Sequence, residues 1–283
     1  MENIIKVLKT IGHIIAAMLI LIAAQLISSV IGGFLPYPWI GEIISAVLYI
    51  SIALTTGLIY VKYVLHISSK ELGVKKSLPE LKWILIGILL PVLVSVFYQV
   101  FTKGEIIRNA RLTTVYPTVI YAIFTVGISG GIVEEFIFRG VIMKMMEKYW
   151  GRLAAVCIPS FLFGLSHLAN LSDWHLLDAV LLIVAGTMVG IMFSLIALQS
   201  GTIWSSAVVH GLWNIIIIGG LLEIGTSDYG MSINSVWQYK ITASSILLTG
   251  GQFGIETAAP AVIGYVIVSA CALIFMKRKS IKD

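Results

Sequence analysis

What most limits the fold of this chain is a succession of apolar runs long enough to cross a bilayer. A spanning helix needs about 20 predominantly apolar residues, and eight such runs follow one another along the 283 residues. Bounded by charge, proline or glycine, they cover about residues 11–34, 43–65, 83–101, 116–146, 153–168, 176–198, 202–222 and 259–276. The expected fold is all-α: a polytopic membrane protein built as an eight-transmembrane-helix bundle, with residues 1–283 forming a single membrane-embedded domain. The first run is too long for a secretory h-region and lacks an obvious small-residue cleavage site, so it reads as a helix. Composition agrees, with 58% hydrophobic and 12% charged residues against roughly 45–50% and about 25% in soluble domains. That balance excludes an ordinary soluble domain, a disordered chain and a nucleic-acid binder built on a basic surface. The two cysteines, Cys157 and Cys271, lie inside apolar runs and give no disulfide framework.

Lysine and arginine are unevenly shared between the connections. Lys6, Lys9, Lys62, Lys70, Lys75, Lys76, Lys82, Lys144, Lys148, Arg152, Lys277, Arg278, Lys279 and Lys282 fall on one side of an eight-span topology. Lys103, Arg108, Arg111 and Lys240 fall on the other. Fourteen against four places both termini in the cytoplasm by the positive-inside rule. The net charge of +5 is thus a statement about orientation. The long connection at about 223–258 is then an extracytoplasmic loop; its alternating 237–242 stretch predicts a short strand or hairpin and 249–254 a turn. The loop reads as a surface cap without chemistry. Trp39, Trp83, Trp150 and Trp174 near run ends fit an interfacial aromatic belt, His13, His66 and His175 read as interfacial, and Asp173 and Asp178 as a solvated rim.

Ionisable groups inside spanning segments are costly and face the bundle interior, where they mark function. The fourth run carries Glu134, Glu135 and Arg139, the fifth ends at His167, and the seventh holds His210 and Asn214. Residues four apart share a helix face, so Glu135 lies over Arg139 as a structural ion pair while Glu134 points elsewhere. His210 and Asn214 likewise share a face. Glu134 is 14 positions before Lys148 and His167 is 15 after Arg152, which puts both about 21–23 Å from that boundary. His210 and Asn214 lie roughly 14–20 Å in from Gly201, so all four side chains fall in one layer.

A carboxylate, two imidazoles and an amide converging on a water-accessible pocket form a hydrolase constellation. In one reading Glu134, with His167, accepts a proton from water, and His210 and Asn214 stabilise the oxyanion of a peptide carbonyl. In the other, Glu134, His167 and His210 bind Zn²⁺, which activates the water. The His-Glu-x-x-His signature of zinc proteases is missing, and the residues leave the choice between the two open. A proton relay in a proton-coupled transporter is a rival use of such groups, but they gather in one layer rather than a file across the bilayer. A non-enzymatic membrane scaffold or immunity protein is the other rival.

Glu134-Glu135-x-x-x-Arg139, Phe163-x-x-x-His167 and His210-x-x-x-Asn214, in this order on three hydrophobic helices, resemble the motifs of the CAAX-processing and bacteriocin-processing (CPBP) intramembrane protease family. That family includes the Ras-converting prenyl endopeptidase. The resemblance covers about Tyr116 to Asn214, and the Gly250 to Glu256 segment is similar to bacterial members. It implies an eight-helix bundle with an intramembrane catalytic cavity opening toward the cytoplasm, and a catalytic core at about 116–222. It further implies Glu134 and His167 as the water-activating pair, His210 and Asn214 as the oxyanion site, and Glu135, Arg139 and Phe163 in support; of the metal-bound and metal-free forms ascribed to that family the metal-free one is favoured here, with no cofactor expected. The implied partners are membrane lipid and a hydrophobic or prenyl- or otherwise lipid-modified peptide, in a bacterial plasma membrane.

Overall fold

A computed structural model describes residues 1–68, 71–74, 77–108, 112–226 and 235–280. Lys70, Lys75, Lys76, Arg111 and Lys282 of the charge count lie outside the described residues. The helices are α1 (Glu2–Gly33), α2 (Pro38–Leu65), α3 (Leu81–Phe101), α4 (Val115–Trp150), α5 (Arg152–Asn170), α6 (Leu176–Ser200), α7 (Ile203–Ile218) and α8 (Ala259–Arg278). Seven of them are long and apolar enough to cross a membrane, and α7 is shorter. At 1.5 Å per residue α7 is about 24 Å long, below the roughly 30 Å of a hydrocarbon layer. The seventh run was expected to continue to residue 222. Instead the helix stops at the Gly219-Gly220 pair, with Gly220 at φ 74°, and Leu222 opens a strand.

Local chemistry sets the other boundaries. Pro38 sits at the first turn of α2, where a missing N–H costs nothing. Thr202 caps α7 by accepting the Trp204 backbone N–H on its side chain. Gly201, at φ 70°, takes the left-handed turn that ends α6. The α4 run is 36 residues long and is not uniform. Wide π-helical turns at Tyr121–Gly130 and Phe136–Ile142 flank one α turn, Gly131–Glu135. Such turns are rare and concentrate at functional sites.

The chain is not helical throughout. Strands β1 (Gly104–Arg108), β2 (Leu222–Gly225) and β3 (Trp237–Ile241) form a small sheet in the order β1-β3-β2. β1 pairs antiparallel with β3, placing Ile106 opposite Tyr239, and β2 pairs parallel, placing Leu222 opposite Trp237. The alternation at 237–242 announced β3. β1 is as long as β3, but its Glu105-Ile106-Ile107-Arg108 sequence does not alternate, and the four residues of β2 are too few to show a period. The sheet lies at the end of the bundle where α3 finishes and α4 begins. The opposite end joins the terminal helices to the remaining connections: Trp150 donates to Thr10 Oγ1 at 2.9 Å, and Lys82 lies 4.9 Å from the Phe275 ring.

Two surface expectations fail at that point. Trp83 is fully buried and donates Nε1–H to Gln199 Oε1 at 2.8 Å, so it is a core residue joining α3 to α6, not part of a belt. Asp178 is buried as well, accepting the Gln252 backbone N–H at 3.3 Å, because the long loop folds back over it.

Helices in lipid associate largely through close packing of small residues, and two such contacts set the bundle centre. A Cβ on Gly131 of α4 would lie 2.8 Å from Ala207 O, and one on Gly211 of α7 would lie 2.8 Å from Gly127 O. A Cβ on Gly186 of α6 would come within 2.5 Å of the Gly164 Cα on α5. Backbone therefore touches backbone at both crossings, which brings the polar layer of α4 against α7 and that of α5 against α6. Gly131→Ala is expected to destabilise the protein by about 1–3 kcal/mol through overpacking, read as a lowered melting temperature in detergent, whereas Gly12→Ala, at a position with open space around it, should leave it unchanged.

Candidate active site

The site is built around one buried charge pair. Arg139 and Glu135 are both fully buried, and Arg139 donates Nη1–H to Glu135 Oε1 at 2.7 Å across one helical turn. Its Nη2–H is taken by the Gly190 carbonyl of α6 at 2.9 Å. The guanidinium is walled by the Phe163 ring at 4.9 Å and the Phe193 ring at 5.2 Å. A charge taken out of water costs several kcal/mol unless it is paired and hydrogen-bonded, and these contacts supply both.

Glu135 Oε1 has a second partner, His210 Nδ1 at 3.1 Å. A carboxylate oxygen accepts, so Nδ1 carries the proton. Nε2 is left pointing at Glu134 Oε2, 3.8 Å away. The His210 ring is stacked on Phe193 at 4.6 Å and 14°, which fixes its plane. On α5, His167 Nδ1 lies 2.7 Å from the Phe163 carbonyl. A carbonyl only accepts, so this nitrogen also carries its proton, leaving Nε2 with a free lone pair. Asn214 donates one Nδ2–H to the Val126 carbonyl at 2.8 Å and keeps the other.

Glu134 Oε2 and Glu135 Oε2 are both buried without a hydrogen-bond partner among the described residues, but Glu135 is anchored through its Oε1 to Arg139 and His210, whereas Glu134 faces His210 Nε2 at 3.8 Å. Glu134, His167, His210 and Asn214 all line one cavity of about 320 Å³, together with Phe163. The structure thus brings the four sequence-derived groups and Phe163 to one space, and sets Glu135 and Arg139 immediately behind it. The cavity runs from the bundle centre toward the sheet end, since Gln25 and Ser28 near the end of α1, Thr125 near the start of α4 and Phe253 of the long loop also line it. It therefore occupies the half away from the terminal helix ends. Termini in the cytoplasm and a cavity facing the cytoplasm are not compatible with this arrangement.

The long loop is part of the wall. Phe253, Glu256 and Thr257 line the cavity, and the Phe253 ring stands edge-on to His167 at 6.1 Å. This corrects the surface-cap reading. Sequence reasoning gave no part to Phe193 or Glu256 either; aromatic and acidic residues at those positions carry no local periodic signal, and only the chain's return over α5 and α6 reveals them. Zn²⁺ would need Glu134, His167 and His210 as ligands. Among the described residues no group of three or more His, Cys, Asp or Glu is placed to hold a metal ion, so these three do not form a metal centre as they stand.

Residues 116–216 match the family model Rce1-like, type II CAAX prenyl endopeptidase. The matched segment holds all the polar groups of the bundle centre, and it agrees with the resemblance carried by the three motifs. No curated protein and no solved structure matches the chain.

Glu134 and Arg139 should respond oppositely to replacement. Glu134→Gln removes a charge whose buried Oε2 makes no hydrogen bond among the described residues, so melting in detergent should be unchanged or raised. Arg139→Met strands the Glu135 charge and should cost about 3–5 kcal/mol.

Proposed function

We propose that this protein is an intramembrane endopeptidase that hydrolyses a peptide bond in a hydrophobic, membrane-associated or lipid-modified peptide. The observation that carries the reading is the unpartnered Glu134 carboxylate facing two imidazoles and an amide in one cavity, inside the segment matched by a prenyl endopeptidase family. Glu134 takes a proton from water while the lone pair of His167 Nε2 holds the same water in place, a role for which a poorly solvated carboxylate is suited. The oxygen then attacks the carbonyl carbon.

Charge develops on the carbonyl oxygen, and fixed donors are worth most at that moment. Asn214 offers its second Nδ2–H. His210 offers Nε2–H only as the imidazolium, because its Nδ1 proton is committed to Glu135. Carboxylate oxygens lie 3.1 Å from its Nδ1 and 3.8 Å from its Nε2. Glu135 and Arg139 act through His210 as positioning residues. Phe163 contributes its carbonyl to His167 and its ring to the wall around Arg139.

The eighth span in this reading is α7, the shorter apolar helix. The bias of basic residues supports termini in the cytoplasm of a bacterial plasma membrane; with that orientation the cavity lies in the extracytoplasmic half and the scissile bond is presented there. Zinc has no part in this reading, and the chemistry runs through side chains and water.

In nanodiscs, Glu134→Gln should lower cleavage of a membrane-tethered peptide by about 10³-fold or more and Asn214→Ala by about 10²–10³-fold, measured by mass spectrometry of the fragments. Retained turnover in Glu134→Gln would remove it from the catalytic role. A cellular phenotype unchanged by that substitution would favour a scaffold or immunity protein, and Glu134-dependent ion flux in liposomes would favour a transporter. Chelators should leave the rate within about twofold; stoichiometric Zn²⁺ lost from His167→Ala would establish a metal site instead.

A further inference from the structure

One acidic side chain in the cavity has no part in the chemistry above. Glu256 lines the same wall as Glu134, but it comes from the loop between β3 and α8 and not from the matched segment. That loop is tightly fixed. Gly250, Gly251 and Gly254 sit at φ 73°, 64° and 79°, conformations that side-chain-bearing residues rarely adopt. Thr257 donates Oγ1–H to the Gly250 carbonyl at 2.6 Å, and Tyr265 donates its phenol O–H to the Glu256 carbonyl at 3.0 Å. The Gln252 side chain holds the other flank, donating Nε2–H to the Asp173 carbonyl at 2.7 Å. None of these bonds uses the Glu256 carboxyl itself. The loop delivers that group to the cavity on a rigid support.

The titratable groups that share the cavity with it are Tyr49 on α2, Tyr121 and Glu134 on α4, His167 on α5, His210 on α7 and Tyr265 on α8, and Asp178 on α6 accepts from the Gln252 backbone of the same loop. None of the cavity-lining residues is Lys or Arg. Desolvation, with the Glu134 carboxylate as the smaller cause, pushes Glu256 up to about 8. At neutral pH it therefore holds a proton. Both carboxyl groups line one space of about 320 Å³, and two carboxyls in unlike environments divide into a base and an acid.

We propose that Glu256 is the general acid of the hydrolysis, donating its proton to the peptide nitrogen as the carbon–nitrogen bond breaks. The step rests on the endopeptidase reading. Water loses one proton to Glu134, and its oxygen forms the new bond to the carbonyl carbon. The carbon–nitrogen bond then breaks, its electron pair goes to nitrogen, and nitrogen takes the proton of Glu256. The new carboxylic acid keeps the second hydrogen of water until it ionises. Glu134 releases its proton to solvent and Glu256 regains one, so both groups return to their starting states.

Leaving-group dependence tests this role in the full-length protein in nanodiscs. Two substrates share one membrane-tethered acyl portion, one cleaved at a peptide bond and one at an aryl ester, whose phenolate leaves without a proton. Glu256→Gln should lower kcat on the peptide by about 10²–10⁴-fold with KM nearly unchanged, yet cleave the ester within about threefold of wild type. Glu134→Gln should lose both. Glu256→Asp should recover part of the peptide activity, and the fall in wild-type peptide kcat as pH rises through about 8 should be absent in Glu256→Gln. Equal losses on both substrates, or full peptide turnover, in a Glu256→Gln protein with a wild-type melting curve would overturn the assignment. If that variant melts early, Glu256→Asp decides by the same comparison. A wild type that cleaves neither substrate overturns the endopeptidase reading itself, and this inference with it.

Discussion

A single carboxylate oxygen holds the centre of this bundle together. Glu135 Oε1 accepts from Arg139 on its own helix and from His210 on α7, while Arg139 reaches the Gly190 carbonyl on α6 and lies against the Phe163 ring of α5. Four helices are thereby tied to one pair of opposite charges. In hydrocarbon such a pair is tolerable only when it is charge-paired and hydrogen-bonded, and the bonds through Glu135 Oε1 and Arg139 Nη1 and Nη2 fix the rotation of α4. Glu134, one position along and about 100° around the helix, is then turned into the cavity, 3.8 Å from His210 Nε2. Pairing of one glutamate and exposure of its neighbour follow from the same geometry.

Backbone contact makes the arrangement possible. Gly131 and Gly211 let α4 and α7 meet without intervening side chains, and Gly164 and Gly186 do the same for α5 and α6. Larger residues at these crossings would separate His210 from Glu135. The cavity extends from the bundle centre toward the sheet end, where Gln25 and Ser28 of α1 and Tyr121 and Thr125 of α4 continue its wall. The long loop, pinned by its glycines and by Asp178, completes the wall over His167. The polarity of the cavity is thus divided between a matched helical core and a loop outside it.

Much of this was legible in the sequence where the contacts are local or follow from helix geometry. The four-residue spacing of Glu135 and Arg139 survives even though wide π turns flank it, and the depth of Glu134 and His167 follows from counting residues from Lys148 and Arg152. The alternation at 237–242 identified β3. What was not legible depends on long-range packing. Trp83 looks like any interfacial tryptophan until α6 supplies Gln199, and Asp178 looks solvated until the loop covers it. The ring of Phe193 and the carboxyl of Glu256 reach the site only through the fold. The end of α7 was overrun by four residues of apolar sequence because a glycine pair outweighs hydrophobicity in stopping a helix. Family resemblance and charge bias point opposite ways on the side the cavity faces, and only the packed bundle relates the cavity to the helix ends.

The tautomer of His210 tests the central claim most directly. If Glu135 holds this ring in the orientation that aims Nε2 beside Glu134, nitrogen-15 NMR of histidine-labelled protein should show His210 Nδ1 protonated throughout, with Nε2 the titrating nitrogen, and Glu135→Gln should disturb that signal. A neutral His210 carrying its proton on Nε2, indifferent to Glu135→Gln, would contradict the account.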